Sequence, residues 1–359
     1  MSRSVWRSLA QPAALPASWA YGTAVGVRNW LYQKGTFPVK SLPVPVVSVG
    51  NITVGGSGKT PMVAHIAGLL LARGRAVGVI SRGYRRASSA SRTVVVSEGQ
   101  SLLATVTEGG DEPVELAERV PGLAVAVGGD RYQAGMELLR RRGDLTFILD
   151  DGFQHRQLSR DLDLVCIDAE ESVECLCLLP AGTLREPLPH LERAGALIWT
   201  RWREGRPAEP LASRVLRSFT REHPVFRSVS TISGFRPLAG TESGLPAEGL
   251  HGKDVGLLSG IAKPQRFRQD LEACGARVVW SCAKRDHYKW QPDEVSRLVA
   301  SAQRSGAQAV ITTGKDAVKM SGVGPTVLPL YRAELQARIL EQEAFENLLE
   351  TLPRLAFKP

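Results

Sequence analysis

The stretch from residue 44 to residue 73 constrains the fold of this chain more than any other. It opens with the apolar, strand-like run VPVVSVG and continues through the glycine-rich run NITVGGSGKT. It ends in a segment with a helical pattern, from about Pro61 to Arg73. Pro61 suits the first turn of a helix, because a backbone N–H would have no partner there. A strand, a glycine loop and a helix in this order are typical of a nucleotide-binding α/β unit.

The last three residues of this loop match the ending of a phosphate-binding P-loop. Glycines allow the tight turn that points backbone N–H groups at phosphate oxygens, and the dipole of the next helix adds to their effect. The simple pattern has a glycine six positions before the lysine, where this chain has Thr53. The strand and the helix around the loop still favour a nucleotide site. The residues predicted to form it are Thr53, Gly55, Gly56, Ser57, Gly58, Lys59 and Thr60.

Strand-like runs alternate with helical runs through the first 200 residues. The strand candidates are 44–50, 76–81, 93–97, 123–128, 145–151, 163–169 and 196–200, and Arg131–Arg142 has a helical pattern. This alternation predicts an α/β fold of P-loop NTPase type, with a doubly wound and mostly parallel sheet. Ligands of such sheets bind at the carboxyl ends of the strands, which is where the glycine loop falls.

A second and shorter series of strands and helices follows an extended segment at 223–238. It contains DVGLLS, a helical segment near 292–305 and AVITTG, so we expect a second, smaller α/β domain. A chain of 359 residues is also long for one hydrophobic core. The predicted organisation is an N-terminal, membrane-associating helical segment (1–40), a P-loop core domain (41–222), a smaller α/β domain with extended linker strands (223–333) and a C-terminal helix (334–359), because the tail from Glu334 to Leu352 has a helical pattern.

The positive charge of the chain is concentrated near its N-terminus. The net charge is +9, and twelve lysines and arginines precede the first acidic residue, Glu98. The basic excess therefore lies within roughly the first quarter of the chain. A nucleic-acid-binding protein has such a distribution, and so does a protein that lies on an anionic lipid surface.

The N-terminal segment predicts a helix from about Pro16 to Gln33. Ala20, Ala24, Val27 and Leu31 share one face of it, and tryptophans, tyrosines and basic residues stand around them. No apolar run reaches the roughly 18 residues that a membrane-spanning helix needs. Two interpretations remain open. The helix lies in a membrane interface, which its aromatic and basic residues suit, or it packs on the core of the protein, and the two need not exclude each other.

Several polar residues outside the loop are candidates for the chemistry. Asp150 and Asp151 end an apolar strand in FILDDG, where a P-loop protein holds a metal ion, although Asp-Gly is also a turn signal. Asp111 and Glu112 suit the start of a helix, and from the residues alone that is the preferred interpretation. Arg131 could clamp a phosphate or lie on a helix surface, and the isolated His287 could be structural.

Seven runs in one order resemble the tetraacyldisaccharide 4′-kinase family, the lipid A 4′-kinases. The runs are VGNITVGGSGKTP, SRGYRR, GGDEP, DDGFQHR, LPAGTLREPL, DHYKW and TTGKDAVK, spread from about residue 49 to residue 319. DDGFQHR and LPAGTLREP are specific, whereas the glycine loop alone is not. The resemblance implies transfer of the γ-phosphate of ATP to the 4′-hydroxyl of a tetraacylated glucosamine disaccharide 1-phosphate. It also implies a peripheral protein on the cytoplasmic face of the bacterial inner membrane, with an anionic membrane surface and no nucleic acid as partners.

The resemblance also assigns roles to individual residues. It implies that Lys59 binds phosphate, that Asp111 is the general base and that His287 orients it. It places Mg²⁺ on Thr60, Asp150 and Asp151, helped by Glu112, and it lines the site with Arg131, Gln154, His155 and Arg185. The chain departs from the family wording at Thr183 and Tyr288, which bears on substrate contacts and not on the chemistry.

Two rival functions are compatible with parts of the sequence. One is a P-loop ATPase or GTPase that switches a protein partner, because TTGKDA has some likeness to a guanine-binding motif, although its lysine and aspartate are adjacent. The other is a nucleic-acid-binding module that uses the basic N-terminal quarter, but no recognised nucleic-acid motif accompanies it.

Overall fold

One mixed β-sheet runs through the whole molecule. The computed structural model describes residues 3–83, 86, 92–171, 176–204, 215, 223–238 and 243–353, and of residues 3–12 the backbone alone. The strands are β1 (Val46–Asn51), β2 (Val77–Ser81), β3 (Val94–Glu98), β4 (Ala124–Val127), β5 (Thr146–Asp150), β6 (Leu162–Asp168), β7 (Ala196–Thr200), β8 (Val225–Pro237), β9 (Leu245–Pro246), β10 (Asp254–Ser259), β11 (Arg277–Ala283), β12 (Ala309–Thr313) and β13 (Leu330–Ile339).

Helices pack against this sheet. They are α1 (Arg3–Gln33), α2 (Lys59–Ala72), α3 (Val106–Gly109), α4 (Asp111–Arg119), α5 (Arg131–Arg142), α6 (Pro264–Ala273), α7 (Pro292–Arg304), α8 (Gly314–Ala317) and α9 (Gln342–Glu350). Short 3₁₀ turns lie at Leu188–Arg193, Ala247–Leu250 and Val318–Met320.

The first seven strands form what we call the N-terminal sheet. Their order is β3-β4-β2-β5-β1-β6-β7, and every neighbouring pair is parallel except β3 with β4. The strands are buried on both faces and read as apolar runs, as expected for a parallel sheet between helices. The predicted doubly wound, mostly parallel α/β fold is therefore confirmed. Because β1, β2, β4 and β5 are parallel, the residues that follow them meet at one edge.

Strand β8 connects this sheet to a second set of strands. Its first residues pair in parallel with β7, and the stretch from Ser228 to Pro237 pairs antiparallel with β13. The order continues β13-β12-β10-β11 with parallel pairs, and we call these four strands the C-terminal sheet. The predicted division into domains at 222 and 223 falls just before β8, and residues 205–214 and 216–222 lie outside the described part of the chain.

The C-terminal segment differs from its prediction. The predicted helix from Glu334 is wrong in its first turn and a half, because β13 continues to Ile339 and the helix α9 begins at Gln342. The residues Glu334 to Ile339 have good helix propensity, but Leu335, Ala337 and Ile339 also alternate with polar residues. Nine residue pairs with β8 decide in favour of the strand, since tertiary pairing overrides a weak local preference. Residues 354–359 lie outside the described part of the chain.

Helix α1 begins at Arg3, not near Pro16 as predicted, and it ends at Gln33 as predicted. Within the described residues, no helix has both the length and the apolar character of a membrane span. The orientation of α1 is opposite to that of an ordinary surface helix. Its polar Ser18 and Asn29 are buried against the protein, while Trp19 and Trp30 are 78% and 55% exposed.

Substitution of Phe345 tests whether α9 stabilises the fold. Phe345 is fully buried and packs edge to face on Phe226 of β8, with the ring centroids 5.0 Å apart. We expect Phe345→Ala to lower the free energy of unfolding by about 3–5 kcal/mol in denaturant titrations, the usual cost of a large core truncation. The exposed Glu343→Ala on the same helix should change it by less than about 0.5 kcal/mol. A cost below about 1 kcal/mol for Phe345→Ala would mean that α9 is not part of the core.

Candidate active site

The glycine loop lies between the carboxyl end of β1 and the first turn of α2. Gly58 has a φ of 74°, in the left-handed region that favours glycine, and caps α2. A Cβ atom at this position would lie 3.2 Å from Cβ of Thr200, so the site of Gly58 is closed to larger residues. The Thr200 hydroxyl also donates to the carbonyl of Ser57, at 2.8 Å. The end of β7 thus fixes the loop directly before Lys59.

Thr53 occupies the position where the simple P-loop pattern has a glycine. Its side chain is buried, and its hydroxyl donates to Oε2 of Glu171 at 3.1 Å. Its φ is not positive, so the backbone does not need glycine there. The next residue, Val54, donates its backbone N–H to the carbonyl of Thr183 at 2.8 Å. Thr53 therefore anchors the loop to a neighbouring segment, and the tight turn falls to Gly55 and Gly58.

Two adjacent carboxylates stand at the end of β5, the strand beside β1. Asp150 is buried and accepts one hydrogen bond, from the hydroxyl of Ser81 at 3.0 Å. Asp151 has a φ of 53° and turns toward the glycine loop. Its Oδ1 lies 3.4 Å from Nζ of Lys59, and a guanidinium nitrogen of Arg185 donates to both of its oxygens at 2.9 Å. The loop lysine and the strand-end acids are thus in one cluster.

The surroundings of the two acids give them opposite pKa shifts. Burial raises the pKa of Asp150 to about 7, and the charges on Glu112 and Asp151 add to the shift. Burial also acts to raise the pKa of Asp151, but the cations Lys59 and Arg185 outweigh it and lower the pKa. Asp150 is therefore a buried carboxyl group whose charge Lys59 and the hydroxyl of Ser81 offset only in part. A cation bound beside it would favour its ionised form.

The segment 183–190 holds Arg185 against the acids. The backbone N–H of Arg185 donates to the carbonyl of Ile52 at 2.8 Å, and Gln154 lies within 3.3 Å of its guanidinium. The amide of Gln154 donates in turn to the carbonyl of Asn51 and to the buried Glu186, at 2.9 and 2.8 Å. Gln154 and Arg185, both predicted to line the site, therefore join the glycine loop to Asp151.

Helix α1 is hydrogen-bonded to the same segment. The hydroxyl of Tyr21 donates to the carbonyl of Arg185 at 2.7 Å, and Arg28 donates to the carbonyl of Gln154. Asn29 donates to Glu186 at 3.0 Å. Burial acts to raise the pKa of Glu186, but hydrogen bonds from His190, Arg193 and Gln154 and the charge of Arg193 lower it to about 2. The buried face of α1 is thus polar because it binds the strand-end loops of the site.

Arg131 and His155 lie on the other side of the acids. Arg131 opens α5, is buried, and donates to the carbonyl of Gly129 at 3.0 Å. Burial and the charge of Arg82 lower its pKa to about 10, while Asp151 and Asp150 act in the opposite direction. Burial and the charge of Arg131 lower the pKa of His155 to about 4, so this ring is neutral at pH 7. His155 faces a cavity between the end of α1 and the start of α5.

Asp111 and His287 meet although 176 positions separate them. Nδ1 of His287 lies 2.7 Å from Oδ2 of Asp111, which is 5% exposed. Burial acts to raise the pKa of Asp111, but the hydrogen bond with His287 and the charge of Lys315 lower it. His287 has a φ of 60°, a conformation rare outside glycine that histidine adopts more readily than most residues. The start of α4 and a loop of the C-terminal sheet thus form one carboxylate–imidazole pair.

Three comparisons with known proteins bear on this arrangement. The family model LpxK, tetraacyldisaccharide-1-P 4′-kinase, matches residues 10–354. A tetraacyldisaccharide 4′-kinase of Geobacter metallireducens is 40% identical over 330 residues, covering 92% of this chain and 94% of the relative. The kinase of the same name from Geobacter sulfurreducens is 40% identical over 343 residues, covering 95% and 92%. The chain belongs to the tetraacyldisaccharide 4′-kinase family.

A solved structure agrees with this assignment. The crystal structure of LpxK from Aquifex aeolicus in complex with ATP superposes with a TM-score of 0.77 at 33% identity, covering 95% of this chain and 98% of that one. The predicted family is confirmed, and the relatives that match are named as kinases, that is, phosphotransferases. The fold described above is therefore the fold of this family.

Several residues of this kinase site were absent from the sequence prediction. Ser81 contacts Asp150, Asn51 donates to the carbonyl of Thr53 and to Ser57, and Lys315 contacts Glu112 at 3.0 Å. Each stands at the carboxyl end of a strand or directly after it, which is the signal that would have found them. Thr60, predicted as a metal ligand, lies in the first turn of α2 next to Lys59.

The raised pKa of Asp150 predicts how stability depends on pH. A folded-state pKa of about 7, above the unfolded value of 3.8, means that the folded state binds an extra proton between these values. In metal-free protein this stabilisation is present below pH 4 and is lost as the pH rises through 7. Asp150→Asn should therefore be more stable than wild type at pH 8, by on the order of 3 kcal/mol. Denaturant titrations of wild type and Asp150→Asn at pH 5 and pH 8 measure this. If the two proteins differ in free energy of unfolding by the same amount at both pH values, the prediction is wrong.

Proposed function

We propose that this kinase transfers the γ-phosphate of ATP to the 4′-hydroxyl of a tetraacylated glucosamine disaccharide 1-phosphate in lipid A biosynthesis. The observation that carries the proposal is the proximity of two clusters. Lys59, Asp150 and Asp151 lie at the glycine loop, and the pair Asp111–His287 stands beside Glu112, whose charge acts on Asp150. A phosphate-binding loop next to a carboxylate–imidazole pair suits phosphoryl transfer to a hydroxyl group.

The loop would hold the phosphates of ATP. Backbone N–H groups from Gly55 to Thr60 and the N-terminus of α2 would face the phosphate oxygens. Lys59 would move from Asp151 to the β- and γ-phosphates, a short distance for its flexible side chain. Arg131 and Arg185 would offset the negative charge on the transferred phosphoryl group, since a guanidinium can donate two hydrogen bonds to a phosphate and stays protonated.

The donor atoms of the site fit Mg²⁺. Asp150, Asp151 and Thr60 would present carboxylate and hydroxyl oxygens, the hard ligands that Mg²⁺ prefers. Mg²⁺ is usually bound by one or two carboxylates together with phosphates and waters, so two aspartates and one hydroxyl are enough protein ligands. The buried carboxyl group of Asp150, whose charge its neighbours offset only in part, is the second argument. When bound, Mg²⁺ would neutralise charge on the phosphates, while Glu112 would help to position it.

Asp111 would act as the general base. A sugar hydroxyl is a poor nucleophile, and a carboxylate beside it helps by accepting its proton as the bond to phosphorus forms. The lowered pKa of Asp111 keeps it ionised and ready to accept. His287 would hold the carboxylate in orientation through the 2.7 Å contact.

The lipid acceptor would enter beside α1. A cavity of about 390 Å³ lies between the end of this helix and the start of α5. Its walls are partly aromatic, from Tyr32, Phe37 and Tyr132, and carry Lys40 and His155. An amphiphilic sugar lipid suits such a mixed surface. Gln154 and His155 would then contact the acceptor from the side opposite to the nucleotide.

Purified protein with radiolabelled ATP and the tetraacyl disaccharide 1-phosphate tests the function. Wild type should label the lipid, whereas a P-loop switch would release phosphate and leave the lipid unlabelled. Asp111→Asn still accepts the hydrogen bond of His287 but is no base, so kcat should fall about 10²- to 10⁴-fold with little change in KM for ATP. Near-normal kcat in this variant at saturating lipid would refute the base assignment.

We also propose that the kinase lies on the cytoplasmic face of the bacterial inner membrane through α1. The predicted apolar face of the helix is turned outward: Ala20 and Ala24 are exposed, and Val27 is 52% exposed. Trp19 and Trp30 stand on the outward side, as interfacial tryptophans do. The basic first quarter of the chain would add attraction to anionic lipids, at about 1 kcal/mol for each charge near the surface.

Flotation with vesicles of phosphatidylethanolamine and phosphatidylglycerol tests the membrane contact. We expect Trp19→Glu with Trp30→Glu to lower vesicle binding at least tenfold, that is by more than about 1.4 kcal/mol, because each indole buries about 150–250 Å² when it inserts. Leu103→Glu with Val327→Glu is the matched control, since it places the same two charges at apolar side chains that are 51% and 61% exposed outside α1. Equal loss in the control, or no loss in the double variant, would contradict membrane binding through α1.

A further inference from the structure

Lys315 connects the catalytic pair to the rest of the site. It follows β12 directly, in the short helix α8, and its side chain is 17% exposed. Its Nζ lies 3.0 Å from Oε1 of Glu112, 3.2 Å from Oδ1 of Asp286 and 3.3 Å from Nε2 of His287. Burial acts to lower the pKa of Lys315, but the charges on Glu112, Asp111 and Asp286 outweigh it and raise the pKa. The side chain is therefore an ammonium at neutral pH.

The hydrogen-bonding capacity of an ammonium group restricts its neighbours. It has three N–H donors and no acceptor, and three atoms surround this one within hydrogen-bonding distance. Two are carboxylate oxygens, which only accept. The third, Nε2 of His287, can contact the ammonium favourably only through its lone pair. A proton on Nε2 would place two hydrogen-bond donors 3.3 Å apart. If Nδ1 also carried a proton, the ring would be a second cation and would repel the ammonium.

From this geometry we propose that Lys315 is a positioning residue, which fixes the proton of His287 on Nδ1 so that the ring acts on Asp111 as a hydrogen-bond donor. The inference rests on the proposed function, in which Asp111 is the base. In this tautomer Nδ1–H donates to Oδ2 of Asp111 over 2.7 Å. In the other tautomer the lone pair of Nδ1 would face the carboxylate at this distance, and the repulsion would turn Asp111 away from its position.

The carboxylate of Asp286 acts in the opposite sense but more weakly. Its Oδ2 lies 3.7 Å from Nε2 of His287 and would attract a proton there. Lys315 is closer to Nε2, at 3.3 Å, and binds Oδ1 of the same carboxylate. The ammonium thus offsets the charge of Asp286 where it would otherwise favour protonation of the ring.

The tautomer bears on the direction of proton transfer. A neutral His287 with Nε2 occupied by Lys315 has no free site for the proton that Asp111 takes from the acceptor hydroxyl. The proton therefore stays on Asp111 until it leaves the site, and His287 orients the base without sharing its proton. Oδ1 of Asp111, which accepts one backbone N–H from Glu112 at 3.1 Å, keeps a lone pair for the acceptor.

Nitrogen-15 NMR of histidine-labelled protein at pH 7.5 tests the tautomer directly. The chain has six histidines, and the signals of His287 are those that disappear in His287→Gln. We expect a protonated Nδ1 and an unprotonated Nε2 in wild type. A proton on Nε2, or on both nitrogens, would overturn the proposal without any variant of Lys315.

Variants of Lys315 test its role. Lys315→Met should mix or reverse the tautomers and lower kcat for lipid phosphorylation by about 10- to 100-fold, the usual effect of a group that orients a functional residue, with KM for ATP nearly unchanged. Lys315→Arg, also a cation without acceptors, should keep the wild-type tautomer and restore part of kcat. Lys253→Met is the control, because Lys253 is an exposed lysine at the amino end of β10, the end opposite to the site; it should change neither the tautomer nor kcat.

The lipid-labelling assay and the NMR measurement test the proposed function and the inference separately. If wild type labels no lipid, the function fails, while the NMR result still decides the tautomer. If wild type labels lipid and Lys315→Met keeps the wild-type tautomer, Lys315 does not fix the tautomer. The inference then fails while the proposed function stands. A fall in kcat with an unchanged tautomer in folded Lys315→Met likewise counts against it.

Discussion

The two-sided pairing of β8 is the constraint on which the site depends. This strand pairs in parallel with β7 through its first residues and antiparallel with β13 through the rest. The N-terminal and C-terminal sheets are thereby parts of one hydrogen-bonded structure. In the joined structure a loop of the C-terminal sheet reaches the start of α4. The contact between Asp111 and His287 therefore depends on how the backbone strands pair.

The carboxyl ends of parallel strands supply nearly every other functional group. The glycine loop follows β1, Asp150 ends β5, Ser81 ends β2, and Lys315 follows β12. Helix dipoles and free backbone N–H groups make this edge suitable for phosphate. Burial and the negative charge gathered at this edge raise the pKa of Asp150, and carboxylates hold Lys315 and Arg185. The acidic and basic side chains of the site thus pair with one another before a nucleotide binds.

Helix α1 reverses the usual distribution of polar and apolar residues. Its buried face carries Ser18, Tyr21 and Asn29, which bind the segment 178–190, and its outward face carries Trp19 and Trp30. The sequence pattern revealed an apolar face but not the direction in which it points. Of the two interpretations that the pattern left open, packing on the protein is observed, but through the polar face, while Ala20, Ala24 and Val27 of the predicted apolar face are exposed; contact with a membrane stays a prediction. The contact of the helix with Arg185 and Gln154 joins it to the residues around Asp151.

The sequence by itself determined the local structure and most of the participants. The alternation of apolar runs was enough for the α/β fold, since buried parallel strands and their helices have distinct patterns. The glycine loop, the acids at the end of β5 and the ordered motifs identified the family. The sequence also suggested a helix at Glu334–Ile339, because propensity cannot register a partner strand. Only the tertiary structure decided that this segment is β13, that Thr53 anchors the loop through Glu171, and that Lys315 stands at Nε2 of His287. Contacts between residues far apart in the chain depend on how the strands pair, and no local pattern encodes such a distance.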